Sequence, residues 1–119
     1  MDPGSSLKDA IRVLEPGGLL LLGEGRWREN LRILKDLMLE GSLDEADTLV
    51  STIEGEIYIG PNLSVELGNL LVCGTIRIDA SSEARLRNVT GIDLFVHKRA
   101  IALLEGSTFA NIYEFEEAF

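Results

Sequence analysis

The sequence predicts an α+β fold, in which short N-terminal helices precede a β-rich C-terminal half that forms a small β-solenoid. From residue 56 onward, segments restart roughly every 18 residues, and most open on an apolar, Ile-bearing run. Before residue 54, apolar residues instead recur at the spacing of amphipathic helices. The predicted division is a helical part, residues 1–53, with one apolar strand at 19–22, and a β-rich repeat-like domain, residues 54–119.

The N-terminal part begins with a short helix and a strand. The helix is predicted from Ser6 to Leu14, because Ser6 can cap its N-terminus and Asp9 stands at the capping-box position. The run Pro16-Gly17-Gly18 then ends the helix and turns the chain. A continuous apolar run, Leu19–Leu22, has a glycine on either side, which is typical of a buried strand.

A second, longer helix is predicted from Trp27 to Leu39. Its apolar stripe follows the helical spacing and contains Trp27, Leu31, Leu34 and Met38. The opposite side carries the one cluster of positive charge, formed by Arg28, Arg32 and Lys35. Such a stripe is usually a solvated face, but these three residues are also candidate partner-binding residues. A second capping-box pattern predicts a short helix from Ser42 to about Val50, a stretch that also suits a strand.

From Ile53 onward, apolar residues alternate with polar ones, as strands with one buried face require. If successive coils stack, equivalent apolar residues form columns with a spacing of about 4.8 Å. The first predicted column contains Ile57, Ile76, Leu94 and Ile112. The second aligns Leu63 and Val65 with Leu86 and then with Ile101 and Leu103; the third aligns Leu70 and Val72 with Val89 and Phe109. The alternative fold is an antiparallel meander or a small sandwich.

Residues 51–91 resemble the repetitive core of bactofilins, which are polymer-forming cytoskeletal proteins with a right-handed β-helix. The resemblance lies in the recurrent apolar-x-apolar runs and in the step Gly74-Thr75-Ile76. Residues 60–77 also resemble the small β-helical domain of the division inhibitor MinC. Both resemblances imply a β-helix, and the first implies assembly with further copies.

Composition and charge narrow the classes of partner. Twenty acidic and 11 basic residues give a net charge of −9. This charge repels phosphate backbones and anionic lipid, so neither nucleic acid nor a membrane is an expected partner. The apolar runs are too short to span a bilayer, and the first residues do not resemble a signal peptide. With a single cysteine, these features favour a cytoplasmic protein.

No cofactor, metal site or catalytic residue is predicted. His97 is the only histidine, so a multi-histidine metal site is excluded, and its polar neighbours predict an exposed corner. Cys73 follows an apolar strand and is expected to be buried and unreactive. A cluster of acids does not match a calcium loop and is interpreted as the first turn of a helix: Asp44, Glu45 and Asp47.

The sequence therefore predicts a non-enzymatic structural or protein-interaction module that self-associates through its β-rich half into a dimer or higher homo-oligomer. The C-terminal residues alternate acids with aromatics, and Phe115 and Phe119 are candidate residues for docking on a neighbour. The alternative is a small-molecule or peptide-binding protein with a pocket between the helices and the sheet. That pocket is expected beside Trp27 and Leu19–Leu22.

Overall fold

The computed structural model describes residues 6–114, which form one short helix and eleven strands. The helix is α1 (Leu7–Val13). The strands are β1 (Gly18–Leu21), β2 (Gly25–Trp27), β3 (Leu31–Ile33), β4 (Leu37–Glu40), β5 (Ser51–Ile53), β6 (Ile57–Ile59), β7 (Ser64–Val72), β8 (Thr75–Ile78), β9 (Glu83–Val96), β10 (Ile101–Glu105) and β11 (Thr108–Glu114). The predicted β-solenoid is confirmed, with about five coils.

Every pairing between these strands is parallel, which excludes a meander. Stack A contains β1, β4, the first part of β7, the first part of β9, and β10. Stack B contains β2, β5, the end of β7 and the middle of β9, followed by the start of β11. Stack C contains β3, β6, β8, the end of β9 and the end of β11. Each coil therefore contributes one strand segment to each of three stacks.

Alternate side chains along each stack point into a continuous apolar core. The predicted first column is confirmed, since Ile57 pairs with Ile76, Ile76 with Leu94, and Leu94 with Ile112. Its first three members are fully buried. The predicted pairing of Leu70 with Val89 is also confirmed. Buried side chains of this kind supply most of the stabilisation of a stacked fold.

The predicted second column is wrong by two residues. Val65 pairs with Ala84 and Leu67 with Leu86, and Leu86 in turn pairs with Leu104 rather than with Ile101 or Leu103. The cause is the turn before β9, where Ser82 is buried and its hydroxyl donates to the carbonyl of Gly60 at 2.5 Å. This hydrogen bond fixes where the new strand begins. The predicted third column is wrong at its end, because Phe109 pairs with Gly91.

The predicted helix from Trp27 to Leu39 is wrong. That segment forms the end of β2, then β3 and β4 with a corner between each pair of strands. Its buried residues alternate within strands, which a helix would not allow: Leu31 and Ile33 in β3, Leu37 and Leu39 in β4. Each strand finds a parallel partner one coil later, and this tertiary pairing overrides the helical spacing.

The predicted helix from Ser42 to Val50 is also wrong. The residues form an inserted loop with a single antiparallel bridge between Leu43 and Leu49. The carboxylate of Asp44 accepts the backbone N–H groups of Ala46 and Thr48, both at 2.9 Å. A side chain that closes its own turn in this way competes with helix formation. The predicted domain boundary near residue 53 falls at the end of β5, and paired strands continue on both sides.

The predicted first helix is confirmed, with Ser6 as its N-cap. Helix α1 buries Leu7 and Ile11 against the first coil and so covers the N-terminal end of the core. The predicted strand at 19–22 corresponds to β1, although Leu19 and Leu21 are exposed rather than buried. Within residues 6–114, no helix has the length and apolarity needed to cross a bilayer.

Candidate interaction surfaces

The C-terminal end of the solenoid is the first candidate surface. Within the described residues, β10 and β11 pair only with β9, so the outer edge of the last coil lacks a neighbouring strand. Inward-facing residues of this coil are correspondingly uncovered: Leu104 is 39% exposed and Ile112 is 49% exposed, whereas their partners Leu86 and Leu94 are fully buried. We call this surface, formed by β10 and β11, the open end. It combines apolar side chains with a row of strand-edge backbone groups.

At the opposite end β1, β2 and β3 also pair on one side only among the described residues, but α1 covers the core there. Two side chains from the first coil hold the termini of α1. The Glu29 carboxylate accepts the backbone N–H of Leu7 at 2.7 Å and the hydroxyl of Ser6 at 2.8 Å. At the other terminus, the ammonium of Lys35 donates to the carbonyls of Ile11 and Leu14, both at 2.7 Å. An anion at the N-terminus and a cation at the C-terminus both complement the helix dipole.

The environment of Glu29 changes its pKa. Burial on its own raises the pKa, but the hydrogen bonds from Leu7, Ser6 and Lys8 outweigh burial and hold the pKa below the ordinary value of 4.5. A carboxyl group whose folded-state pKa is lowered stabilises the fold above its unfolded-state pKa. That contribution is lost as the pH falls through the folded-state pKa.

Replacing Glu29 by glutamine should lower the free energy of unfolding by about 1–2 kcal/mol at neutral pH, because a charged helix cap is lost. The difference between wild type and variant should shrink as the pH falls below the ordinary carboxyl pKa, and it should vanish once the pH has passed through the lowered folded-state pKa of Glu29. Urea titrations followed by circular dichroism, at pH 7 and at a descending series of acid pH values, measure both effects. Glu24→Gln, at an exposed position, is the control. An equal loss in the two variants would contradict the capping role.

A groove between α1 and the outer face of β3 and β6 is the second candidate surface, which we call the α1 groove. Its volume is about 880 Å³, within the range of ligand pockets. Four of its lining residues are cations: Lys8, Arg12, Arg32 and Lys35. Aliphatic side chains lie between them, including Leu34, which is 60% exposed, and Glu56 is the one acid in the lining.

Arginine and aromatic side chains form a column on the outside of stack C: Arg32, Tyr58, Arg77, Phe95 and Tyr113. The rings of Phe95 and Tyr113 stack with centroids 4.7 Å apart, and the guanidinium of Arg77 lies 5.1 Å from the centroid of Phe95. Since Arg77 and Tyr113 belong to the coils on either side, both faces of the Phe95 ring are covered. Only the edge of the Phe95 ring therefore faces solvent, and a ligand cannot stack on the ring.

Tyr58, in the same column, donates a short hydrogen bond from its hydroxyl to the Asp79 carboxylate one coil further on. This hydrogen bond raises the pKa of Tyr58 and lowers the pKa of Asp79. The guanidinium carbon of Arg32 lies 5.7 Å from the centroid of the Tyr58 ring. Tyr58 is thereby fixed in position where it lines the α1 groove.

The structure separates the three cations that the sequence places on one helix face. Arg28 forms an ion pair with Glu54 at 2.9 Å and lies outside the α1 groove. Arg32 and Lys35 both line the groove, but Lys35 is also held by the helix carbonyls. Phe115 and Phe119 lie outside the described residues. The role of Glu29 has no sequence signal, because the residues it caps precede it by more than twenty positions.

Residues considered for chemistry do not converge. His97 is exposed, as predicted, at the corner after β9. Cys73 is exposed rather than buried, because it lies at the corner between β7 and β8, so that prediction is wrong. Trp27 is 1% exposed and belongs to the core rather than to a pocket. Among residues 6–114, no three His, Cys, Asp or Glu side chains are grouped so as to hold a metal ion.

No protein-family model, curated protein or solved structure matches this chain.

Proposed function

We propose that this protein is a non-enzymatic structural or protein-interaction module that self-associates through its open end. The observation that carries the proposal is the contrast between the two ends of the described fold. Helix α1 covers the core at the first coil, whereas the inward-facing Leu104 and Ile112 of the last coil are 39% and 49% exposed beside strand edges that pair on one side only. Such edges are templates for pairing with another chain.

A second copy is the natural occupant, because an edge of this kind is self-complementary. Two identical open ends related by a two-fold axis bring equivalent strands together in antiparallel orientation and leave no further edge exposed at the junction. In the dimer, Leu104 and Ile112 of each copy are then buried against the other copy, as Leu86 and Leu94 are buried against the last coil. The resemblance of residues 51–91 to bactofilins, which assemble from β-helical subunits, agrees with this arrangement.

The test is the molar mass as a function of concentration. Light scattering on wild-type protein should show the 13.0 kDa monomer giving way to a dimer or larger species between about 10 µM and about 1 mM, the range of weak to moderate association. The double variant Leu104→Lys, Ile112→Lys should remain monomeric, since it places two cations at the centre of the apolar surface. Both side chains are partly exposed in the monomer, so the variant should still fold.

Leu19→Lys is the matched control. Leu19 is 48% exposed and Ile112 is 49% exposed, but Leu19 lies on β1 at the opposite end of the solenoid. Its replacement should leave the association unchanged. A wild-type protein that stays monomeric at every concentration would overturn the proposal. Equal effects of the two variants would instead indicate nonspecific association. Phe115→Asp with Phe119→Asp tests in the same assay whether the predicted aromatic residues contribute.

A further inference from the structure

We propose that the α1 groove binds an acidic peptide segment that carries an aromatic or aliphatic side chain between its carboxylates. The first argument is charge. The protein has a net charge of −9, yet the groove lining carries four cations and one acid. A local field opposite to that of the whole molecule selects a negatively charged partner.

The second argument is that the groove is preorganised. Three hydrogen bonds to the carbonyls of Ile11, Arg12 and Leu14 hold the ammonium of Lys35 in place. They use its three N–H groups, so Lys35 contributes fixed positive charge, while direct contacts with a carboxylate fall to Lys8, Arg12 and Arg32. The guanidinium of Arg32 rests over the ring of Tyr58, which Asp79 fixes in turn. Groups held in advance lose little conformational entropy when a ligand binds.

The third argument is the mixture of surfaces. Ile11 and Leu31 are buried at the groove, and Leu34 remains 60% exposed beside Arg32 and Lys35. A simple inorganic anion would leave this apolar area uncovered, and a volume of about 880 Å³ far exceeds such an ion. A peptide satisfies both parts of the surface, because its carboxylates meet the cations while an apolar side chain between them covers Leu34.

Arg32 is the groove residue whose substitution best tests the inference. Its side chain is exposed and makes only the ring contact with Tyr58 among the interactions described for it, so its replacement should leave the fold intact. Arg85 provides the matched control. It is exposed on stack A, its ion pair with Glu66 is long at 4.0 Å, and Arg85→Glu changes the net charge by the same amount.

Fluorescence anisotropy with a labelled Glu-Glu-Phe-Glu-Glu peptide tests the inference at low salt. Wild-type protein and Arg85→Glu should bind the peptide alike, and Arg32→Glu should bind it at least about tenfold more weakly. Gln-Gln-Phe-Gln-Gln should fail to bind, Glu-Glu-Ser-Glu-Glu should bind more weakly, and Leu34→Ser should reproduce the loss seen with the serine peptide. Binding should also weaken as salt is added, since the cations are solvent-exposed.

Three results would overturn the inference: no binding of the acidic peptide at millimolar concentration, equal binding of the glutamine peptide, or equal weakening by Arg32→Glu and Arg85→Glu. Complete displacement of the peptide by an equal concentration of inorganic phosphate would also overturn it, because the site would then recognise charge alone. None of these outcomes depends on the open end. The variant Leu104→Lys, Ile112→Lys should bind the peptide as the wild type does, so the two proposals fail separately.

Discussion

Replacing Ile76 by alanine should lower the free energy of unfolding by about 2–5 kcal/mol, the range for truncating a buried isoleucine. Ile76 lies in the middle of a column, between Ile57 and Leu94, and is fully buried. The coils above and below are tied to it by backbone hydrogen bonds and cannot collapse freely into the cavity. The cost should therefore be in the upper part of that range.

Ile92→Ala is the matched control for Ile76→Ala. Ile92 is the same residue type, also in a strand, but it is 49% exposed at an outer corner, and its truncation should cost less than about 1 kcal/mol. Urea unfolding followed by the fluorescence of Trp27 provides the measurement, because this single tryptophan is buried in the first two coils and becomes hydrated on unfolding. Similar losses in the two variants would contradict the assignment of the core columns.

Gly74→Ala should be a strongly damaging glycine substitution, because the added methyl group would clash with backbone of the neighbouring coil. Gly74 lies at the corner between β7 and β8, directly over Gly55 of the preceding coil. A Cβ atom at position 74 would overlap the carbonyl oxygen of Gly55 and approach its carbonyl carbon to 2.7 Å. Both are backbone atoms, so no rotamer change relieves the clash. We expect a loss of about 3 kcal/mol, the upper part of the range for overpacking.

Gly68→Ala separates this steric effect from a general effect of adding a methyl group. Gly68 also lies between coils, but a Cβ atom there would meet the guanidinium of Arg87 at 3.3 Å, which can move away. This variant should lose less than about 1 kcal/mol. The same urea titration compares the two. If both variants unfold at the same urea concentration, backbone contact at the Gly55–Gly74 corner does not limit the spacing of the coils.

Alternation alone could predict the part of the fold where apolar and polar residues alternate strictly, as they do in β6 and β8. Ile57 and Ile76 lie in strands whose neighbouring positions are polar, so the two-residue period has no helical interpretation. Their alignment follows from the spacing of successive segments. The neighbouring column was misaligned because the turn at Ser81 and Ser82 shifts the start of β9, and a buried serine hydroxyl has no distinctive sequence pattern.

The segment from Trp27 to Leu39 shows why the first coils could not be predicted. Trp27, Leu31, Leu34 and Met38 follow the spacing of one helix face, but the segment forms strands broken by corners, in which Leu34 and Met38 are exposed. Strands form instead of a helix because this segment pairs with partners such as Ile57 and Leu67, which lie more than 20 residues further along the chain. Local sequence preference carries no information about contacts between residues so far apart in the chain.

The candidate surfaces depend even more on distant contacts. The sequence predicts Arg32 and Lys35 as partner-binding residues, but the groove they line requires α1, whose position is fixed by Glu29 and Lys35. Arg28 is only four residues before Arg32, yet it forms an ion pair with Glu54 outside the groove. The reason is that the chain bends at a corner after β2 instead of continuing as a helix. The groove-lining side chains lie close together because the coils stack, not because the residues are regularly spaced in the sequence.

By itself, the sequence determined the β-solenoid class, the apolar column through Ile57 and Ile76, the short first helix and the acidic net charge. These properties follow from alternation, capping and composition, which act over a few residues at a time. Only the tertiary structure decided that the coils begin at β1, which end of the core is covered by α1, and that the last coil lacks a further paired strand within residues 6–114. Those features arise from parallel pairing between segments about one coil apart, where each strand is stabilised by neighbours that its own sequence does not specify.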